Sequence, residues 1–160
     1  MPVNPIPDDF TAATPYLVVR GCAAAIEFYT RAFDAREIMR LTLPDGTIGH
    51  AEIRIGDAPV MMADEVPNMG YLSPQALGGS PVAIVLYVEN VDARCAQAER
   101  EGATMIKPVV DEFYGDRSGT LTDPFGHIWT FSSRIENITP DEMQQRFDQA
   151  LNRADNNDDE

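Results

Sequence analysis

Residues 115–131 read GDRSGTLTDPFGHIWTF, and the fold is decided in this stretch. Asp123-Pro124-Phe125-Gly126 suits a type I turn, with Asp at the first position, Pro at i+1 where its ring presets φ, and Gly at i+3. Residues 117–122 before the turn have strand composition. Residues 127–131 after it carry the β-branched and aromatic mix of a buried strand. The hairpin also holds the one Trp of the chain, one of its two His, and an adjacent Asp116-Arg117.

Working outward, the same order of elements occurs twice. In the first half, residues 14–20 predict a strand and 23–35 a helix with Ile26, Tyr29 and Phe33 on one apolar face. Strands are predicted at 36–43, 47–55 and 60–63, separated by turns at Pro44-Asp45-Gly46 and Gly56-Asp57-Ala58-Pro59. Residues 65–80, rich in Pro and Gly, read as a linker with room for one helical turn. In the second half, a strand at 81–89 leads to Asn90, which can cap a helix over 91–101 that Gly102 stops. Strands at 103–110 and 117–122, a loop at 111–116 and the opening hairpin complete it. The chain is therefore βαβββ twice, an α+β protein with an internal repeat that lives in element order. Residues 1–12 form an irregular arm. Thr139-Pro140-Asp141-Glu142 is a capping box that opens the helix of the C-terminal segment 136–153. Residues 154–160 read as a disordered acidic tail.

Bulk properties narrow the function. The chain has 160 residues, enough for one ordinary domain or two small halves sharing a core. No apolar run approaches the ~20 residues of a membrane span. Asp8 and Asp9 sit where a signal peptide would be basic, which predicts a cytoplasmic protein. Cys22 and Cys95 are too few for a disulfide framework or a zinc knuckle, and read as small buried residues. The formal net charge is −14, with eight acids against two bases in residues 136–160. That balance disfavours nucleic acid, whose phosphates need basic patches, and would favour a cationic ligand.

Two βαβββ modules closing on DPFGHIW resemble the vicinal oxygen chelate superfamily, which holds glyoxalase I, extradiol dioxygenases and the fosfomycin and bleomycin resistance proteins. The fuller pattern is similar to the PhnB-like branch: TPYL at 14–17, IEFY at 26–29, GDR at 115–117 and DPFGHIW at 123–129. The resemblance covers residues 12–135 and implies two curved mixed sheets that face each other around a cavity, in a homodimer that sometimes exchanges modules. In metal-using members, strand residues of both modules hold one divalent ion. The matching positions here are Thr14, His50, Ala83 and Thr130, and His50 alone among them binds metals well. The expectation is therefore a small-molecule-binding protein without the family's metal or another cofactor, its ligand cationic or aromatic. The alternative is a metal-dependent lyase or dioxygenase that uses His50 and Glu52.

Strand alternation supplies the candidate site. It puts His50, Glu52 and Arg54 on one face and Ala51, Ile53 and Ile55 on the other, which should meet the helix. In the second module Ala83, Val85 and Tyr87 take the cavity side. Tyr16, Tyr87 and Tyr114 are polar-tipped aromatics that suit a pocket for a flat ligand. Asp116 and Arg117 read either as a structural ion pair or as a pair orienting a ligand. The candidate ligand-binding set is Tyr16, His50, Glu52, Tyr87, Tyr114, Asp116, Arg117 and Thr130. Without a metal, His50 could act as general base and Arg117 as electrophile. Alternation turns His127 and Trp129 towards the core, where His127 would bond the turn backbone. There is no nucleophile constellation of the GxSxG type and no phosphate-binding glycine loop.

Overall fold

A computed structural model describes residues 3–8, 10 and 13–157, with the side chains of the last helix described through residue 152. Two modules repeat one topology. The first runs β1 (Tyr16–Val19), α1 (Cys22–Phe33), β2 (Arg36–Thr42), β3 (Ile48–Ile55) and β4 (Ala58–Asp64). A 3₁₀ turn at Pro67–Met69 and the short helix α2 (Pro74–Leu77) lead to the second. That module runs β5 (Ala83–Tyr87), α3 (Val91–Arg100), β6 (Thr104–Asp111), β7 (Asp116–Thr122) and β8 (Ile128–Arg134), followed by α4 (Pro140–Asn157). The sheets have the matching orders β1-β4-β3-β2 and β5-β8-β7-β6. In each the first strand pairs parallel with the last, because the helix carries the chain across the sheet. The terminal helix extends past the predicted end at 153, and residues 158–160 of the expected tail lie outside the described residues, as do 1, 2, 9, 11 and 12 of the arm.

One face of each sheet turns to the helices, and a single core results. On β3, Ile48, Ala51, Ile53 and Ile55 are buried while His50, Glu52 and Arg54 are partly exposed. On β8, Trp129 and Phe131 are buried. The core crosses the module boundary: Phe33 of α1 meets Trp129 edge-on at 4.8 Å and Phe131 at 5.1 Å. Helices α1 and α3 pack on each other, tied by Gln97 Nε2 donating to the Arg31 carbonyl at 2.6 Å. Asp64 at the end of β4 caps α1 from a distance, accepting from the Gly21 and Cys22 amides at 2.9 and 2.8 Å.

The opening hairpin is the joint of this core. Gly126 N donates to the Asp123 carbonyl at 3.1 Å, closing the predicted turn. Gly126 has φ +90°, and a Cβ there would lie 2.8 Å from Pro74 Cβ, so the turn can seat against α2 only with glycine. The Asp123 carboxylate is buried and takes four donors: Tyr29 OH at 2.6 Å, Trp129 Nε1 at 2.8 Å, and the Phe125 and His127 amides at 2.9 and 3.0 Å. His127 is half-buried, and its ring does not bond the turn; Nε2 lies 3.1 Å from the Val18 carbonyl and ties β1 to the second module.

The opposite faces of both sheets are open. The sheets do not close around a cavity within one chain, contrary to the simplest expectation, because each spends its apolar face on the helices between them. Tyr16, Val85 and Tyr87 on the open faces are 47%, 54% and 61% exposed.

Candidate functional site

The open face of the first sheet carries a hydrogen-bonded chain. Register places Tyr16, Met61, Glu52 and Met39 in one row across β1, β4, β3 and β2. Tyr16 OH lies 3.1 Å from His50 Nδ1, and His50 Nε2 lies 3.4 Å from Glu52 Oε1. Burial, followed by the neighbouring Tyr71 and Cys22, raises the Tyr16 phenol above its ordinary value, so it remains a donor at neutral pH. Beside this chain a cavity of about 410 Å³ is lined by Tyr16, Gly49, Ala63, Val66, Met69 and Tyr71. Val66, Met69 and Tyr71 of this lining come from the segment that composition marks as a linker with room for one helical turn.

At the far end of the same face, Phe10 of the N-terminal arm helps line a second cavity of about 370 Å³ with Arg36, Glu52, Arg54 and Pro59. Arg36 and Arg54 are cross-strand neighbours.

The open face of the second sheet carries a separate cluster. Val85, Thr130 and Thr120 form one row, and Tyr87, Ser132 and Ser118 the next. Thr130 Oγ1 is 2.9 Å from Thr120 Oγ1. Tyr114 OH is 3.3 Å from Ser118 Oγ. Asp116, 2% exposed, accepts from Tyr87 OH at 2.5 Å and from Arg134 Nε.

Arg117 stands apart. Alternation turns it to the helix side, where Nε and Nη2 grip both Asp92 oxygens at 2.8 and 2.7 Å and Nη1 reaches Asp111 at 2.7 Å. These contacts, first Asp92 and then Asp111, hold its guanidinium above its usual range. Neither sequence reading of an Asp116–Arg117 pair matches this arrangement. Consecutive strand residues point to opposite faces, so each finds another partner. Of the candidate residues, the structure brings Tyr16, His50 and Glu52 together on one sheet and gathers Tyr87, Tyr114, Asp116 and Thr130 on the other. Arg134, Tyr71 and Met69 escaped sequence reasoning. For Arg134 a signal existed: it lies two full alternations beyond Thr130, on the same face of the strand.

Within one chain, the described residues gather no donor set that fits a divalent metal. Among the described residues no three His, Cys, Asp or Glu side chains cluster closely enough to hold an ion. Both ring nitrogens of His50 face side-chain partners, and Thr130 is engaged with Thr120. Hard divalent ions need several carboxylate or imidazole donors converging on one point.

A sequence model of the Glyoxalase/Bleomycin resistance protein/Dioxygenase superfamily matches residues 10–131. The chain belongs to this superfamily. An uncharacterized protein of Mycobacterium bovis is 43% identical over 136 residues, 83% of this chain and 90% of its own length. An uncharacterized Arabidopsis thaliana protein is 27% identical over 127 residues, 75% of this chain and 76% of its own. Among solved structures, TioX from Micromonospora sp. ML1 superposes with TM-score 0.60 at 25% identity, over 81% of this chain and all of TioX. The fosfomycin resistance protein FosX from Listeria monocytogenes, crystallised with Mn(II) and sulfate, shares the fold with TM-score 0.62 at 18% identity, over 86% of this chain and 98% of its own. No described helix is long and apolar enough to cross a membrane.

Proposed function

We propose that this superfamily member is a cytoplasmic small-molecule-binding protein of the glyoxalase/bleomycin-resistance type, in the PhnB-like branch, and that it works without the usual catalytic metal. The observation that carries the reading is a pair of open sheet faces, each bearing half of a site. Tyr16, His50 and Glu52 line one, and Tyr87, Tyr114, Asp116 and Thr130 the other. A homodimer in which the first sheet of one copy faces the second sheet of the other would join the halves into one cleft. Apolar and aromatic groups on both walls, with few polar groups to fix orientation, suit a flat or aromatic ligand.

A metal-dependent lyase or dioxygenase is the second reading, and the His50–Glu52 pair at 3.4 Å is the observation in its favour. It lacks a third donor, because the matching positions Ala83 and Thr130 supply none in either copy.

Metal analysis of the purified protein, with melting followed in Ni²⁺, Zn²⁺, Mn²⁺ or Fe²⁺, separates the two. A site with a Kd of about 1 μM at 100 μM metal stabilises by about 2.7 kcal/mol. The expected result is substoichiometric metal and no shift. Stoichiometric metal that disappears in His50→Ala would overturn the metal-free reading. Sedimentation equilibrium tests the shared cleft; a monomer at tens of micromolar would refute it.

A further inference from the structure

Among the described residues the open face of the second sheet carries Arg134 and, in register with Thr120, Lys107; Arg134 is fixed there by a carboxylate. Asp116 is all but inaccessible, yet its carboxylate has only two side-chain donors, Tyr87 OH and Arg134 Nε. That bond is made with the side of the guanidinium, not its fork. Arg134 remains 55% exposed, and after Asp116 its guanidinium's next interaction is with the Tyr87 oxygen. Its Cζ lies 5.9 Å from the centre of the Tyr87 ring, whose own hydroxyl is locked on Asp116. The result is an arginine with its stem-side nitrogen tied down, an aromatic ring beside it, and more than half of its side chain open to solvent.

We propose that Arg134 is a ligand-binding residue that holds a carboxylate of an aromatic monoanion, with the aromatic body lying along Tyr87 and Val85. The fork geometry favours a planar two-oxygen acceptor. A single guanidinium offers one two-point site, so one carboxylate is the matching group. Holding the guanidinium in advance reduces the ordering cost of binding. The inference rests on the open faces being a ligand cleft, and adds the sign and shape of the ligand.

Three probes of one size test it on the full-length protein: benzoate, benzyl alcohol and benzylammonium. Binding is read by calorimetry and by the Arg Nε–Hε resonance of ¹⁵N-labelled protein. Benzoate should bind about tenfold or more tighter than benzyl alcohol, benzylammonium should bind more weakly than either, and the Arg134 resonance should move with benzoate. Arg134→Gln alone strands a buried carboxylate, so the decisive variant is the double substitution Asp116→Asn with Arg134→Gln. It should lose the preference for benzoate over benzyl alcohol. Arg134→Lys, which keeps the charge but not the fork, should lose most of that preference. Equal binding of all three probes, a preference for benzylammonium, or a preference that survives the double substitution would overturn the assignment while leaving the cleft intact. If none of the three binds, the cleft reading falls with it.

Discussion

Replacing Asp123 by alanine should be among the most damaging single changes in this chain. The carboxylate is buried and takes four hydrogen bonds, from Tyr29, Trp129 and two backbone amides. Alanine leaves the Tyr29 hydroxyl and the Trp129 N–H in the core without an acceptor. Each such buried orphan costs about 1–3 kcal/mol, and the turn amides lose their shared acceptor as well. A total of about 4 kcal/mol is expected, a large share of the ~5–15 kcal/mol that holds a typical domain together. For a chain of this size, each kcal/mol moves Tm by about 2–4 °C, so Tm should fall by roughly 8–16 °C. Tyr29→Phe removes one donor and leaves Asp123 three, so it should cost about 1–2 kcal/mol. In the Asp123→Ala background the same change should cost much less, because the phenol has already lost its partner. Calorimetric melting of the four proteins measures both the loss and the coupling. A drop below about 2 °C for Asp123→Ala, or strictly additive effects, would refute the carboxylate as the joint between modules.

Three further outcomes follow from the same geometry. Ser73 first and Arg20 second hold Glu65 down at about 2; a folded value below the unfolded one means its contribution is complete above about pH 4.5 and is lost as pH falls through the folded value. The Tm gap between wild type and Glu65→Gln should therefore be flat from pH 8 to 5 and close as pH falls towards 2, and a gap that widens in acid would contradict this. Burial pushes the Cys22 thiol up to about 12, aided by Asp64, and Cys95 up to about 11, aided by Glu99; the native protein should therefore resist a thiol reagent at pH 8 and react at both sites after denaturation. Arg117→Ala breaks exposed ion pairs on the helix side and should change neither Tm nor probe binding measurably, so a loss of binding would return Arg117 to the site.

Much of the architecture was legible because it is written locally. The Asp-Pro-Phe-Gly turn, the Asn90 cap and the Gly102 stop are each a few residues of backbone chemistry, and all appear where expected. The faces were legible too: alternation on β3 separated His50 and Glu52 from Ala51 and Ile53 before any contact was known. The candidate site was only half legible. His50 and Glu52 lie two residues apart and so share a face by necessity, whereas Asp116 and Arg117 were paired by adjacency, which in a strand is the wrong rule. Arg134 was passed over because its role depends on β7 lying beside β8.

By itself the sequence determined the repeat, the two sheets and which side of β3 is wet, since periodicity and turn chemistry act within a few residues, and its motifs carried the resemblance to a structural family. The tertiary structure alone decided which charges meet, that Tyr29 bonds a carboxylate 94 residues away, and that the two open faces remain apart in a single chain. Those outcomes depend on long-range packing. Burying an apolar face on the helices is worth the same whichever polar groups it leaves on the other side, so the pattern that specifies the core does not specify the partners of the polar groups opposite it.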